Sequence, residues 1–408
     1  MNIAVLAIRR DKAIFFLRVT EQLRNSHKIA FLTTRYHTYR HLKDKCDVSM
    51  LQDFIDDSVD ITDCLKFQKD ATLTEVYEKS IKRDRLDKQF IWFCRGLKSF
   101  FSKNPVDIFF IWNGSAMQGY AASEIADLFN VKKLFFEIGN FPGKFFMDAK
   151  GVNARSSLME KDLCACGDYD ERKLRTFVKN HKQAKEEIHV VPQAKTLRRI
   201  PWERLWDVYY NCFARYPIVE KQVNYLTKLI KKYTCKIKIN YDTVDIKRRN
   251  YILFPLQVGR DSQIIRNSDK NLFESVDYAV ETAERNKLDL FIKPHPAETN
   301  KKILEYIYRL RSCKSNIFLV GGNTYQLIKH SKKIITINST VGIEGLMYYK
   351  HVEVLGRAFY KPYCEPDLSK EIDKDRVNRF LFNYFFNILK DGDFFSDGPV
   401  HIDLAGIN

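Results

Sequence analysis

The feature that most constrains this chain is an alternation of strand-like and helix-like segments that occurs twice. Short apolar runs at Asn2–Ile8, Lys28–Thr33, Asp107–Trp112 and Lys133–Ile138 are each bounded by polar punctuation. Such runs read as strands buried on both faces. Helical spacing lies between them near Lys12–Arg24 and Ala116–Phe129. The alternation restarts at Asn250–Pro255 and continues through Leu288–Lys293, Asn316–Val320, Lys333–Ile337 and Val352–Leu355. Helices are expected there near Lys270–Asn286, over Lys301–Arg311 and Thr324–His330, and from Thr340. A strand buried on both faces needs helices above and below it, so each block predicts its own doubly wound parallel sheet. A length of 408 residues also exceeds what one ordinary core accommodates.

The intervening stretches are less regular. Residues 36–105 are charged and helical in composition, without a clear strand. Residues 156–248 are rich in Lys, Arg and Glu, interrupted by Pro192, Pro201 and Pro217, and read as a helical insertion ending the first domain. Two readings of that insertion stand side by side. One is a solvated charged face; the other is a basic, aromatic face, with Arg198, Arg199, Trp202, Trp206 and Tyr209 near a membrane surface or polyanionic acceptor. The tail from Arg376 is helical and aromatic and is expected to pack back on the first domain. The expected divisions are therefore 1–248, 249–375 and 376–408.

Lys plus Arg number 68 against 51 Asp plus Glu, a net charge of +17. Such a surface suits anionic partners. No apolar run approaches the roughly 20 residues that span a bilayer. Arg9 and Arg10 follow the first apolar run, whereas a secretory signal places its charges before it, so a cytosolic chain is expected. Nine scattered Cys fit reduced thiols, and the close pair Cys164 and Cys166 lacks the second pair that zinc would need. No Gly-x-Gly-x-x-Gly follows the first strand and no Walker A sequence occurs; Asp-x-Asp occurs as Asp168-Tyr-Asp170, Asp373-Lys-Asp375 and Asp391-Gly-Asp393, none of them after one of the strand-like runs. A dinucleotide, a P-loop ATPase and a metal-dependent sugar-nucleotide site are therefore not indicated.

Chemistry is expected at the strand ends, where open α/β sheets bind ligands. Lys293-Pro-His295-Pro places a cation and a hydrogen-bond donor after one strand. Asn338-Ser339-Thr340 places two hydroxyls at a helix start, where N–H groups and the helix dipole favour an anion. Together they suggest a phosphate site, although capping alone also explains the hydroxyls. Glu344, one turn on, either reaches ribose hydroxyls or faces solvent. In Leu256–Ile264, Asp261 is a nucleophile, a base or a helix cap, and Gln257, Arg260 and Gln263 can orient a sugar. Glu137 ends an apolar strand before Gly139-Asn-Phe-Pro-Gly143, where desolvation would raise its pKa and suit acid–base work. A plain structural acceptor is the competing reading. Asn113, Gly114 and Asn153 lie in the neighbouring polar turns.

These motifs, in this order, resemble those of the bacterial capsule polysaccharide biosynthesis family, which are retaining β-Kdo glycosyltransferases (Kdo is an eight-carbon 3-deoxy-2-keto sugar acid). The resemblance runs from about 107 to 358: Trp112-Asn-Gly, Phe-Phe-Glu-Ile-Gly-Asn-Phe-Pro-Gly, Asp148-Ala-Lys-Gly-Val-Asn-Ala, Leu-Gln-Val-Gly-Arg-Asp-Ser-Gln-Ile, Lys-Pro-His-Pro and Asn-Ser-Thr-Val-Gly-Ile-Glu-Gly-Leu. The His-Pro and Ser-Thr elements are also similar to those of GT-B sialyltransferases. The resemblance implies a GT-B fold, two Rossmann-like domains facing a central cleft, and CMP-β-Kdo as donor, with no cofactor and no metal. It implies Asp261 as nucleophile and Glu137 as acid–base partner. Donor binding falls to His295, Lys293, Ser339, Thr340, Asn338, Glu344, Gln257, Arg260 and Gln263. A lipid-linked or oligosaccharide acceptor falls near Asn113, Gly114, Arg9, Arg10 and Asn153, at the cytoplasmic face of the inner membrane. Ala7-Ile-Arg-Arg-Asp11 departs from the Gln-Gly-Pro turn of many capsule initiators and looks closer to the Kdo transferase modules of O-antigen assembly. An inverting CMP-sialic-acid-type transferase and a basic glycan- or nucleic-acid-binding protein are the competing readings. The second of these lacks any helix-turn-helix, zinc-finger or RNA-recognition signature.

Overall fold

The computed structural model describes residues 1–165, 167–187, 202–218, 239–259, 261–295 and 300–404. Cys166, Pro192, Arg198, Arg199, Pro201, Arg260 and the side chain of Trp202 lie outside the described residues. The chain divides into two units. One comprises Met1–Ser157, Gln193–Val223 and Ile388–Asn408, and the other Leu158–Pro192 and Asn224–Asn387.

In the first unit, β1 (Asn2–Leu6), β2 (Lys28–Thr33), β3 (Val48–Met50), β4 (Ile108–Trp112), β5 (Lys132–Ile138) and β6 (Lys144–Asp148) form a sheet in the order β6-β5-β4-β1-β2-β3. All pairs are parallel except β5–β6. A two-residue strand, Lys390–Asp391, adds antiparallel to β6 at the outer edge. The flanking helices include α1 (Arg10–Glu21), α2 (Tyr36–Leu42), α3 (Arg83–Lys103) and α4 (Met117–Leu128). Phe15 and Phe16 of α1 meet Phe110, Phe136 and Phe145 of the sheet, all fully buried. Phe16 and Phe136 stand edge to face at 5.2 Å, the arrangement that ring quadrupoles favour. Each such burial contributes about 1.5–3 kcal/mol.

In the second unit, β7 (Tyr251–Pro255), β8 (Asp289–Lys293), β9 (Ile317–Leu319), β10 (Lys333–Thr336) and β11 (His351–Val354) form an all-parallel sheet in the order β11-β10-β7-β8-β9. Its core is largely aliphatic, built on Ile252, Val276, Ala279, Ile292, Ile303 and Ile307. The helix expected near 270–286 is Leu272–Arg285. It opens with a capping box in which Asn271 accepts from the Glu274 N–H and Glu274 accepts from the Asn271 N–H. Both sheets extend outward in both directions from their first strand, which is the doubly wound topology.

Three expectations are corrected. The 36–105 stretch contains a strand, β3, which is too short at three residues for a period-2 pattern to register. The expected 156–248 insertion does not stay with the first domain. Its helix α5 (Glu171–Glu187) belongs to the second unit, while α6 (Trp202–Phe213) belongs to the first. Buried aromatic and polar contacts hold α5 there: Phe177 packs on Phe385 at 4.7 Å, and His181 bonds Tyr325. The tail is divided as well. Helix Lys374–Asn383 stays in the second unit, and only residues from Ile388 return to the first. The return is made by extended chain: Arg18 donates to the carbonyls of Asp393 and Gly398, each at 2.9 Å, and Gln22 donates to that of Ile402. Val400 and Ile402 then join the first unit's core.

Candidate active site

In each unit the candidate residues gather at the C-terminal ends of adjacent strands. In the second unit, chain order runs from β7 to β8 on one side and resumes with β10 on the other. The point where strand order reverses therefore lies between β7 and β10, and doubly wound sheets bind ligands in the crevice beyond it. The loops leaving those two strands carry Gln257 to Asp261 and Asn338 to Thr340, and β8 on the far side of β7 leads to Lys293 and His295.

An amide network locks the first two loops together. Gln257 donates to the Asn338 side chain at 3.0 Å and accepts from the Asn338 N–H at 3.1 Å. The Asn338 amide donates to the Gln263 carbonyl, and the Gln263 side chain accepts from Asn267. Gln257, Gln263 and Asn338 thus help to fix the loops that hold Asp261 and Ser339. Asp261 precedes the short helix Ser262–Asn267, and its Oδ1 accepts from the Gln263 N–H at 2.9 Å. That cap holds the carboxylate in one orientation.

Ser339 caps as well, since its hydroxyl accepts from the Val341 N–H at 3.3 Å. The Thr340 side chain makes no capping bond to the seven-residue helix Val341–Met347 that follows. The Tyr360 phenol donates to the Ser339 carbonyl and lies so close that a Cβ on Gly342 would sit 2.5 Å from its ring. Only glycine allows that packing. Lys293 is half-buried, and burial pushes its pKa down. A neighbouring anion would counter that shift. His295 is exposed.

Glu344 neither lies open to solvent nor stands alone. The Tyr325 phenol donates to its Oε1 at 2.8 Å, and His181 Nε2 lies 2.8 Å from that phenol oxygen. With the phenol proton directed to Glu344, His181 supplies an Nε2–H, so the neutral imidazole carries its proton on that nitrogen. Burial pushes Glu344 up to about 7, against the lowering effects of the Tyr325 hydrogen bond and Lys185. Burial, then Lys185, pushes His181 down to about 4. Asn323 braces the arrangement: its amide donates to the carbonyls of Lys185 and Glu186 at the end of α5, and its oxygen caps helix Thr324–His330. His181, Tyr325 and Asn323 were not among the sequence candidates. No local pattern links positions 144 residues apart.

In the first unit the reversal of strand order lies between β1 and β4. Arg9 follows β1, Asn113 follows β4 and Glu137 is the penultimate residue of β5, so the three share one edge of three neighbouring strands. Asn113 and Gly114 both have left-handed backbones, with φ of 62° and 72°. This tight turn aims the Asn113 amide at Glu137 Oε2, to which it donates, while Oε1 accepts from the Ile138 N–H at 2.9 Å. Two N–H donors thus hold the Glu137 carboxylate as an acceptor, a state that suits a base. Arg9 is paired with Asp11 through two bonds of 3.1 and 2.7 Å, and Arg10 begins α1 half-buried. Asn153 lies in a loop organised by Asp148, whose carboxylate accepts from the N–H groups of Lys150, Gly151 and Ser157.

Comparison with known proteins follows the same residues. The chain is 33% identical to protein FixF of Sinorhizobium fredii over 27% of each sequence. It is 29% identical to the capsule polysaccharide export protein KpsS of Escherichia coli over 28% of this chain and 31% of that protein. It is 26% identical to the capsule polysaccharide modification protein LipB of Neisseria meningitidis over 55% of this chain and 57% of that one. The matches thus span from about a quarter to rather more than half the length of these curated relatives. Among solved structures, Thermosulfurimonas dismutans KpsC, beta Kdo 2,7 transferase, is 12% identical over 98% of this chain and 95% of that chain, with a TM-score of 0.46. Residues 111–363, more than half of the chain, match the family described as capsule polysaccharide biosynthesis protein. That span includes Asn113, Glu137, Asn153, Asp261, Lys293, His295, Ser339 and Glu344, and leaves out Arg9 and Arg10. The chain belongs to the capsule polysaccharide biosynthesis protein family.

Proposed function

We propose that this protein is a retaining glycosyltransferase that moves β-Kdo from CMP-β-Kdo to a sugar hydroxyl of a lipid-linked or oligosaccharide acceptor in surface polysaccharide assembly. The observation that supports it most is the convergence beyond β7, β8 and β10. A fixed carboxylate, Asp261, shares that strand-end edge with a hydroxyl pair, an amine and an imidazole suited to a nucleotide phosphate. Membership of a capsule biosynthesis family agrees with the substrate class.

In this reading Ser339, Thr340, Lys293 and His295 bind the phosphate of CMP, and Glu344 takes a ribose hydroxyl. Asp261 attacks the anomeric carbon of Kdo. The bond to the CMP phosphate oxygen breaks and its electron pair leaves with CMP, whose developing charge is met by donors already in place. A glycosyl ester on Asp261 results. The acceptor hydroxyl then attacks the same carbon, its proton passes to Glu137, and the ester's electron pair returns to Asp261. Two inversions give net retention, the logic of a two-carboxylate retaining glycosidase.

Mass spectrometry of the protein with CMP-Kdo and no acceptor tests the first step. The expected result is a Kdo-sized adduct on the peptide that holds Asp261. Asp261→Asn is expected to abolish it and to slow transfer by roughly a thousandfold or more. Glu137→Gln is expected to keep the adduct and lose transfer. Full transfer by Asp261→Asn, or an inverted product by NMR, sinks the mechanism.

A further inference from the structure

Helix α6 is turned inside out. An ordinary surface helix buries its apolar stripe and shows its polar face to water. Here, among the described side chains, Asp207 and Tyr210 face the protein. Asp207 pairs with His37 of α2, Oδ2 lying 2.6 Å from Nδ1, and its Oδ1 accepts from the His37 N–H at 3.0 Å. Tyr210 stacks on Tyr36 with ring centres 4.9 Å apart and planes nearly parallel. Leu205, Trp206, Val208, Tyr209 and Phe213 point outward and are 45–78% exposed. At about 100° per residue these five cover an arc of roughly 160°, with Asp207 opposite its centre and Tyr210 outside it. Rotating the helix to hide the arc would strip His37 and Asp207, both largely buried, of each other.

The rim of this face is cationic. The Arg40 guanidinium lies 4.0 Å over the Trp206 ring, Lys43 and Lys45 are exposed on the turn after α2, and Arg215 is 77% exposed beyond the helix end. Asp44 is exposed among them, Asp53 is exposed near Tyr210, and Asp57 is taken by Arg95 and Arg215. Between Leu205 and Phe213 the one acidic side chain is Asp207, which faces inward. Trp and Tyr concentrate where one end of a side chain is apolar and the other wet, as at a lipid headgroup layer, and cations beside them meet lipid phosphates. A second copy of the chain fits less well, because a two-fold contact through this face would bring the same cationic rim against itself. Among the described residues no helix is long and apolar enough to cross a membrane, so the contact would lie along the surface.

We propose that the outward face of helix Trp202–Phe213 is a docking surface for an anionic lipid bilayer, with its aromatic side chains at headgroup depth and Arg40, Lys43 and Arg215 on lipid phosphates. The proposal needs no nucleotide sugar and stands apart from the transferase reading. The test is flotation of the full chain with phosphatidylcholine vesicles, with and without phosphatidylglycerol. The wild-type protein is expected to float with the anionic vesicles and to be released by salt, which screens surface charge. The triple variant Leu205→Ser, Tyr209→Ser, Phe213→Ser is expected to partition at least about tenfold more weakly, with unchanged far-UV circular dichroism. Phe213→Ser alone, at the most exposed position, is expected to lose about threefold, which covers the case of a misfolded triple variant. Three results overturn the proposal: no flotation of the wild type, partition of the folded variants within about twofold of wild type, or a wild-type dimer that the substitutions convert to monomer.

Discussion

Single positions carry much of the strand-end geometry. Gly114 combines a left-handed backbone with a neighbouring ring so close that an added Cβ would lie 2.8 Å from Phe135 Cε1. Gly114→Ala therefore meets both backbone strain and a clash with a buried side chain. A loss of about 2–3 kcal/mol is expected, read as a lowered midpoint of denaturant unfolding. If the Asn113–Glu137 contact depends on this turn, the variant also loses transfer beyond what its stability accounts for. Asp261 shows how a capping role fixes a side chain's orientation. Sequence spacing is compatible with a nucleophile, a base or a helix cap; the structure makes it a cap, and a capped carboxylate is oriented before any substrate arrives.

Helices placed across strand ends create the coupling that short-range patterns do not reveal. Glu344 holds its proton up to about pH 7 in the folded protein, against 4.5 for an exposed glutamate. Between those values the folded state binds more protons than the unfolded chain, so this residue makes stability fall as pH rises. His181 has the opposite effect. Its pKa of about 4, against 6.5 when exposed, means that the unfolded chain binds the extra proton in that window, and stability rises with pH. The two slopes largely cancel between about pH 4.5 and 6.5. Glu344→Gln removes one and leaves the other. Its melting temperature is expected to climb with pH across that window more steeply than that of the wild type. The difference corresponds to on the order of 1–2 kcal/mol. Parallel melting curves would show that the pair is not coupled to folding. The strand-end positions of Lys293, Ser339 and Asp261 were legible in the sequence because each stands where an apolar run meets polar punctuation. The Gln257–Asn338 amide pair joins residues 81 apart, and α5 reaches Tyr325 from 144 positions away, so neither leaves a local trace. Strand β6 was missed for a related reason: Lys-Phe-Phe-Met-Asp has one apolar run but no period, and the hairpin that forms it is set by the close approach of Gly139 to Lys144.

The division of the whole chain was only half legible. Two doubly wound sheets follow from the two blocks of alternation, because buried parallel strands have few other solutions. The boundaries at 248 and 376 did not follow, since composition cannot say which core a charged helix covers. Amphipathic α5 goes to one unit and α6 to the other. The tail's return is held mainly through carbonyl groups, which Arg18 and Gln22 can grip whatever side chains the tail carries. This return has a consequence for synthesis on the ribosome. The sheet of the first unit precedes the second unit in the chain, yet its outer edge strand and two of its core residues, Val400 and Ile402, follow Asn387. The second unit has all of its sequence by Asn387. The unit translated first is therefore the one completed last, and until then β6 stands as an uncovered edge. Nascent chains stalled with Asn387 clear of the exit tunnel are expected to resist brief proteolysis over 239–387 while remaining cleavable near β6. Extension through Asp403 is expected to protect both, and equal protection at the two lengths would show that the first unit closes without its tail.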